Sequence, residues 1–166
     1  QGVLRGAAGT SLFANTAPRL LDFRLEAVFF NPYDGDTTLW AYGVAFGVTA
    51  GTGHVFLIAS DRSWSLIKAS GTGAQVIQTG ALEGFEVSLQ TRHEVEIEMV
   101  GITFRVWLDG VLIADITLEE PPTRGNVALA AAAAPRTPDQ VFIRYRALKV
   151  YDLDTPFSPT PSLPHR

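Results

Sequence analysis

The sequence predicts an all-β fold, a sandwich of two antiparallel sheets, and two observations carry this prediction. First, much of the 166-residue chain alternates apolar and polar side chains over short stretches, the pattern of a strand with one buried face. Second, residues 92–117 contain two consecutive hairpins, HEVEIEM-VG-ITFRVWL-DG-VLIADIT. About ten to twelve short strands with regular turn residues are typical of a sandwich, so we expect no helix longer than about two turns.

The first half of the chain supplies strands in an orderly series. Residues 19–31 alternate, with Leu21, Phe23, Leu25, Ala27 and Phe29 on the apolar face. Residues 38–48 carry large side chains on one face and small ones on the other, which indicates a central strand with something packed closely over the small face. Residues 54–60 and 63–69 form a pair that turns at Asp61-Arg62, and short strands are predicted at 74–78 and 84–90.

The hairpin of residues 92–109 is predicted to turn at Val100-Gly101. Its apolar face is then His93, Val95, Ile97, Met99, Ile102, Phe104, Val106 and Leu108. On its polar face Arg92 lies opposite Asp109, Glu94 opposite Trp107, Glu96 opposite Arg105, and Glu98 opposite Thr103. A slip of one residue would move every Glu into the core, so the register is strongly specified. Asp109-Gly110 supplies the positive φ angles of the next tight turn.

Two later segments complete the sandwich. Residues 127–134 are rich in alanine, which favours a helix by intrinsic propensity, but the β context and the closing Pro135 favour a strand. Residues 140–153 alternate again, and this alternation places Val141, Ile143, Tyr145, Ala147, Lys149 and Tyr151 on one face.

Composition excludes several classes of protein. Hydrophobic residues make up 46% and charged residues 18%, the proportions of a globular chain. A net charge of −4 with no basic stripe argues against nucleic-acid binding. No Cys is present, which excludes disulfides and thiolate chemistry. The uncharged run 37–60 contains four glycines and a TAGTG turn, so we do not expect a membrane span. One Met and the preference for Arg over Lys are compatible with a heat-adapted source.

The chain divides into three parts by composition. Residues 1–18 are rich in Gly and Ala and predict an N-terminal arm or edge strand, and residues 19–153 form the sandwich domain. Residues 154–166 are rich in Pro, Ser and Thr, which is typical of a tail or linker.

Several phrases in this order resemble a known superfamily. FRLEAVFFNP, HVFLIASDRSWSLIK, VEIEMVGITFRVWLDGVLIADI, GNVALAA and VFIRYRALKVYD resemble the concanavalin A-like lectin/glucanase superfamily, in particular laminin G-like domains of bacterial extracellular proteins. The resemblance covers residues 19–152. It implies a jelly-roll sandwich with a concave and a convex sheet, ligands on the concave face or at a calcium-lined rim, and an extracellular or cell-surface location.

The leading candidate for a ligand site is the outward face of the first hairpin. Trp107 lies there beside Arg105, Glu94 and Glu96, and an exposed aromatic ring flanked by polar groups suits a sugar ring. Trp40 and Trp64 have apolar neighbours and are expected in the core. His54 and His93 lie in no motif that supports a triad or a metal site.

Two further sites are weaker alternatives. Asn31, Asp34 and Asp36 lie in one loop and could supply oxygen ligands to Ca²⁺, although the same letters describe a plain turn. The resemblance also implies a hydrolase that uses Glu94 and Glu98, because β-glucanases of the superfamily carry Glu-x-Asp-x-Glu on one strand. Here the middle residue is Glu96, and Arg92 and Arg105 offer the glutamates ordinary charged partners.

Three functions therefore stand as hypotheses. The first is a non-catalytic extracellular domain that binds a glycan or a surface protein. The second is a structural subunit that forms homo-oligomers or a filament through residues 1–18 and 154–166. The third is the glycan hydrolase.

Overall fold

Twelve strands form the part of the chain that the computed structural model describes, namely residues 2–7, 11–133 and 140–154. The strands are β1 Gly2–Ala7, β2 Ser11–Leu20, β3 Phe23–Phe30, β4 Trp40–Thr49, β5 Thr52–Ala59, β6 Ser63–Ser70, β7 Gly73–Ala81, β8 Arg92–Val100, β9 Thr103–Leu108, β10 Val111–Thr117, β11 Gly125–Ala133 and β12 Gln140–Asp152. The described residues contain no helix of the length and hydrophobicity that a membrane span requires.

The strands lie in two antiparallel sheets of six, so the predicted sandwich is confirmed. The front sheet has the order β1-β12-β3-β8-β9-β10, and the back sheet has the order β2-β11-β4-β5-β6-β7. Residues predicted as an N-terminal arm or edge strand supply β1 and β2, one edge strand for each sheet. The predicted tail, apart from Asp154, lies outside the described residues.

Aromatic side chains from both sheets fill the space between them. Phe29 of the front sheet stacks on Tyr42 of the back sheet with 4.5 Å between ring centroids. Tyr42 also stacks on Trp40 at 5.3 Å. Trp40 and Trp64 are only 2% and 4% exposed, which confirms the prediction that both belong to the core. Stacked rings add to the free energy of burying their large apolar area, and these contacts hold the two sheets face to face.

The turn between β8 and β9 lies one residue later than predicted. It consists of Gly101 and Ile102, and Gly101 has a φ of +61°. A two-residue turn with Gly at its first central position suits the right-handed twist of the flanking strands. The predicted turn at Val100-Gly101 placed Gly second and is wrong.

The later turn shifts the pairing of β8 and β9 by two residues. Glu96 lies opposite Trp107 and Glu98 opposite Arg105, whereas the sequence analysis paired Glu96 with Arg105 and Glu94 with Trp107. Because side chains alternate with a period of two, this shift leaves every strand residue on its predicted face. Of the predicted apolar face, His93, Val95, Ile97, Met99, Phe104, Val106 and Leu108 are buried, whereas Ile102 lies in the turn and is 39% exposed.

Asp109 has a different partner from the one predicted. Its carboxylate accepts a hydrogen bond from the Glu94 amide at 2.7 Å and contacts Nδ1 of His93 at 2.7 Å, while Arg92 pairs with Glu94. Asp109 has a φ of +50° and Gly110 a φ of +80°, which confirms the predicted tight turn. The same residue therefore forms the turn and ties it to a buried histidine.

The segment predicted as a strand at residues 84–90 is a loop. The carboxamide of the buried Asn31 donates hydrogen bonds to the carbonyls of Glu86 and Ser88, at 2.9 and 3.1 Å. The Asn31 side chain thus donates to carbonyls that would, in a sheet, accept from the backbone amides of a neighbouring strand. Gln90 has a φ of +63°, which also ends any extended conformation. The alternation of the sequence did not reveal the hydrogen bonds of Asn31 or the positive φ of Gln90.

A bulge interrupts β12. Arg146 lies opposite Val28 of β3, but the next partner of β3, Glu26, lies opposite Lys149. One extra residue is accommodated at Ala147, which has a φ of +53°. A bulge of one residue reverses the alternation of side chains beyond it.

The bulge corrects the predicted single face of residues 140–153. Before it, Ile143 is fully buried in the core and Tyr145 packs against it. After it, Leu148 and Val150 pack against the core instead. Lys149, predicted on the same face as Ile143, therefore lies on the opposite, outer face.

The alanine-rich segment forms β11, between β2 and β4 in the back sheet, so the strand prediction is confirmed up to Ala133. Ala134 lies outside the described residues. Ala128 and Ala130 are buried together with Ala45 from the small face of β4. Val55 and Leu57 of β5 pack against this small cluster.

The last described residue anchors the end of β12. The Asp154 carboxylate accepts hydrogen bonds from the amides of Leu21 and Asp22, at 3.0 and 2.7 Å, and pairs with Arg124 at 2.7 Å. Burial acts to raise the pKa of Asp154, but the two amides and Arg124 outweigh it and leave the pKa below its ordinary value.

A second histidine lies in the back sheet without a hydrogen-bond partner at Nδ1 among the described residues. His54 is 9% exposed and stacks on Phe46 with 5.1 Å between ring centroids. Burial lowers the pKa of His54, and the positive charge of Lys68 lowers it further. The neutral ring is therefore the form that the fold favours.

We expect Asp109→Ala to lower the free energy of unfolding by about 2 kcal/mol, because it removes two charge-assisted hydrogen bonds at a partly exposed carboxylate. Urea denaturation measures this. Asp109→Asn is the matched control, because Asn tolerates positive φ and keeps an acceptor for the Glu94 amide, and it should cost clearly less. Equal stability of the Ala variant and the wild type would contradict this role.

Stability should fall as the pH is lowered from about 7 towards 5, because the unfolded chain protonates His54 near pH 6.5 while the folded chain resists protonation. His54→Gln cannot take up that proton, so its stability profile should be flatter over this range. Denaturation of both proteins at several pH values tests the difference. Lys68→Gln, which removes the second cause, should give an intermediate profile. A constant gap between wild type and His54→Gln would rule out this linkage.

Candidate functional site

The outer face of the front sheet carries a row of polar and aromatic side chains across four strands. Glu26 of β3 lies opposite Lys149 on one side and Glu96 on the other, and Glu96 lies opposite Trp107. Directly opposed residues of an antiparallel pair point to the same face. The row Lys149–Glu26–Glu96–Trp107 is therefore continuous.

An open cleft of about 520 Å³ lies along this row, and we call it the tryptophan cleft. Its volume is within the range of small-molecule sites. The side chains that bring chemistry to it are Glu26, Arg92, Glu94, Glu96, Trp107 and Lys149. Trp107 is partly exposed and offers an aromatic surface to the cleft. The three glutamates add carboxylates, and the arginine and the lysine add positive charges.

Cations hold the facing carboxylates in place. Glu26 and Glu96 are directly opposite like charges, an arrangement that destabilises a sheet by itself. One guanidinium nitrogen of Arg24 lies 3.2 Å from Glu26 and 3.0 Å from Glu96, and Lys149 lies 3.3 Å from Glu26. The hydrogen bond to Glu26 raises the pKa of Lys149, and the neighbouring Tyr151 adds to this shift. The cleft thus presents oriented oxygen acceptors and an ammonium donor.

Three of the four predicted ligand-binding residues line this cleft. Trp107, Glu94 and Glu96 contribute to it, whereas Arg105 is not among its lining residues. Arg105 lies 3.4 Å from Asp115 and 3.6 Å from Glu98. The structure therefore places Arg105 in the adjacent row of the same face.

The sequence analysis missed Glu26 and Lys149. The alternation of residues 19–31 already placed Glu26 on the polar face, but nothing local showed that β3 lies between β8 and β12. Lys149 was assigned to the same face as Ile143 because the bulge at Ala147 has no glycine to mark it.

The three residues predicted to bind calcium each have another partner. The Asn31 carboxamide donates to two carbonyls, and its oxygen accepts from the Tyr42 hydroxyl at 3.4 Å. Asp34 accepts from the Asp36 amide at 3.0 Å, and Asp36 pairs with Arg62 at 3.0 Å. Within the described ranges no group of three or more His, Cys, Asp or Glu could hold a metal. These contacts are those of a turn, and the calcium site, which would need about six to eight oxygen ligands, stays a prediction.

Comparison with known proteins gives a result at the level of fold. No family model matches the chain, and no curated protein matches its sequence. Among solved structures, a carbohydrate-binding module from Bacillus subtilis superposes with a TM-score of 0.66 at 16% identity, over 88% of this chain and 84% of that one.

Two other similar structures are a galectin and an enzyme. A galectin from Caenorhabditis elegans superposes with a TM-score of 0.57 at 13% identity, over 89% of this chain and 94% of that one. A β-fructofuranosidase from Aspergillus kawachii superposes with a TM-score of 0.62 at 10% identity, over 89% of this chain but only 26% of the enzyme.

The fold is therefore the concanavalin A-like jelly roll, as the resemblance of the sequence implied. At these identities the similarity defines the fold alone.

Neither EDTA nor added Ca²⁺ should shift the melting temperature, because the side chains of Asn31, Asp34 and Asp36 already have hydrogen-bond or charged partners within the protein. A ligand that binds only the folded state stabilises it in proportion to the logarithm of its concentration. Differential scanning fluorimetry across a calcium titration tests this, with Mg²⁺ as the control for ionic strength. A rise in melting temperature with Ca²⁺, lost in Asp34→Asn, would instead support the calcium site predicted from the sequence.

Proposed function

We propose that this chain is a non-catalytic recognition domain that binds a glycan in the tryptophan cleft. The observation that carries the proposal is the row Lys149–Glu26–Glu96–Trp107 on the outer face of the front sheet. Trp107 offers an aromatic surface for the apolar face of a sugar ring. Carboxylates accept hydrogen bonds from sugar hydroxyls, and the Lys149 ammonium donates to sugar oxygens.

Preorganisation supports binding at this site. Arg24 and Lys149 already fix Glu26 and Glu96, so little side-chain entropy is lost when a ligand binds. Hydrogen bonds to charged groups contribute about 1.5–3 kcal/mol each when they are well formed. An aromatic contact together with several such bonds is sufficient for specific, moderate affinity.

The names of similar structures agree with a carbohydrate ligand. One is called a carbohydrate-binding module, and others are galectins. A location outside the cell or on its surface is part of the proposal, as is the absence of catalysis.

The arrangement of the glutamates supports a binding role rather than hydrolysis. A retaining glycosidase needs two carboxyl groups free to act as nucleophile and acid. Glu94 pairs with Arg92, and Glu98 with Arg105. Each candidate carboxylate of the hydrolase hypothesis is thus engaged by an arginine of the same face.

The hypothesis of a structural assembly gains no specific support from the described residues. β1 and β2, which were candidates for pairing with a neighbouring molecule, pair with β12 and β11 of their own chain. Recognition of a glycan therefore remains the function that the geometry favours.

Trp107→Ala should weaken glycan binding by at least about tenfold, which corresponds to about 1.4 kcal/mol, because the stacking surface is lost. A glycan array identifies the ligand, and isothermal titration calorimetry with the best hit measures the affinity. Trp107→Phe should retain part of the binding, because a smaller aromatic ring remains.

Val76→Ala is the control, because Val76 is 56% exposed on β7 of the back sheet. Its affinity should equal that of the wild type. Unchanged binding by Trp107→Ala would remove this cleft as the site. Release of reducing sugar from laminarin by the wild type, abolished in Glu94→Gln or Glu98→Gln, would contradict the non-catalytic assignment.

A further inference from the structure

A second cleft lies on the same outer face, next to the tryptophan cleft. Its volume is about 410 Å³, and we call it the arginine cleft. The side chains that matter for its chemistry are Phe30, Tyr33, Gln90, Phe142, Arg144 and Arg146. No residue that lines it is acidic, in contrast to the three glutamates of the tryptophan cleft.

The strand register concentrates positive charge around Phe30. Arg144 of β12 and Arg92 of β8 are the residues directly opposite Phe30 on its two sides. The guanidinium of Arg146 lies over the Phe30 ring, 4.6 Å from the centroid. This contact positions the guanidinium without neutralising it.

Two of these arginines have no carboxylate partner among the described residues. Arg92 pairs with Glu94, but Arg144 and Arg146 take part in no ion pair between described residues. Elsewhere on this face the arginines 24, 92 and 105 all contact carboxylates. The chain therefore leaves two forked donors open to the cleft, and this geometry suits a planar carboxylate.

We propose that the arginine cleft binds the carboxylate of an acidic sugar residue within a longer glycan. The carboxylate lies between Arg144 and Arg146, Gln90 supplies an amide for a neighbouring hydroxyl, and Phe142, which is 39% exposed, contacts the sugar ring. This inference rests on the proposed function, because the neighbouring part of the same glycan lies against Trp107.

The spacing of the two clefts suits one extended ligand. Phe30 and Glu26 are four residues apart on β3, about 14 Å at the rise of an antiparallel strand. The ligand is thus an oligosaccharide of several rings, with its negative charge at the Arg144 end and neutral rings at the Trp107 end. Carboxylates of the tryptophan cleft would repel a second acidic ring there, so the two clefts also fix the ligand's direction.

The test compares matched sugars by isothermal titration calorimetry. The probes are a galacto-oligosaccharide that ends in a single galacturonate, the same oligosaccharide with that carboxyl group methyl-esterified, and a neutral galacto-oligosaccharide of equal length. Dextran sulfate and dextran form a second pair that distinguishes recognition of sulfate from recognition of carboxylate. Wild type is compared with Arg144→Gln, Arg146→Gln and Trp107→Ala. The control is Arg62→Gln, in the β5–β6 turn of the back sheet.

The wild type should bind the oligosaccharide with one terminal galacturonate at least about tenfold more tightly than its methyl ester, and the preference should weaken with added salt. Each cleft arginine variant should lose most of the preference while it keeps the affinity for the ester, and Arg62→Gln should behave as wild type. Trp107→Ala should weaken the acid and the ester alike. The variants should melt like the wild type, because both arginines are exposed.

Other outcomes separate the two proposals. If the acid and the ester bind equally through Trp107, the inference about the arginine cleft fails and the proposed function stands. If dextran sulfate binds through the arginines but the oligosaccharide with one terminal galacturonate does not, carboxylate recognition is overturned. If no glycan binds in the probe series or on the array, both proposals fail.

Discussion

The bulge in β12 is the constraint on which the outer face of the front sheet depends. Before it, β12 sends Arg144 and Arg146 outward, and a regular strand would then send Lys149 into the core. The extra residue at Ala147 reverses the alternation, so Lys149 faces Glu26 and the apolar Leu148 faces inward. A left-handed conformation at a non-glycine residue costs about 1–2 kcal/mol. Burial of Leu148 and Val150 offsets this cost, and the charged row is completed on the other side.

The carboxylates Glu26 and Glu96 on the outer face of the front sheet are paired with cations. The register places Glu26 and Glu96 opposite each other, and Arg24, which contacts both, offsets their repulsion. The Nε atom of Arg24 has no hydrogen-bond partner among the described residues. The back sheet contrasts with this arrangement, because its centre is built from Ala45, Ala128 and Ala130. The row of paired charges is therefore a feature of the front sheet, and these small residues of the back sheet serve close packing.

Periodicity predicted the class, most strands and the buried face of β8 and β9, because one local rule governs all of these. It failed where a non-local contact decided the conformation. The carboxamide of Asn31 holds residues 84–90 as a loop, although the letters there alternate as in a strand. Trp107, Glu94 and Glu96 were predicted as site residues because they share one hairpin. Glu26 and Lys149 were missed because their strands become neighbours only in the folded sheet.

The Asp154 clamp has a mechanical consequence. It fixes the end of β12 beside Leu21 and Asp22, at the opposite end of β3 from Phe30 and the arginine cleft. A pulling force between a ligand held at Phe30 and residue 154 would run along β3 and β12. The hydrogen bonds between these two antiparallel strands would then bear the load together, in shear, rather than open one after another. Tension along the line from Phe30 to residue 154 would therefore be resisted by the whole β3–β12 pair.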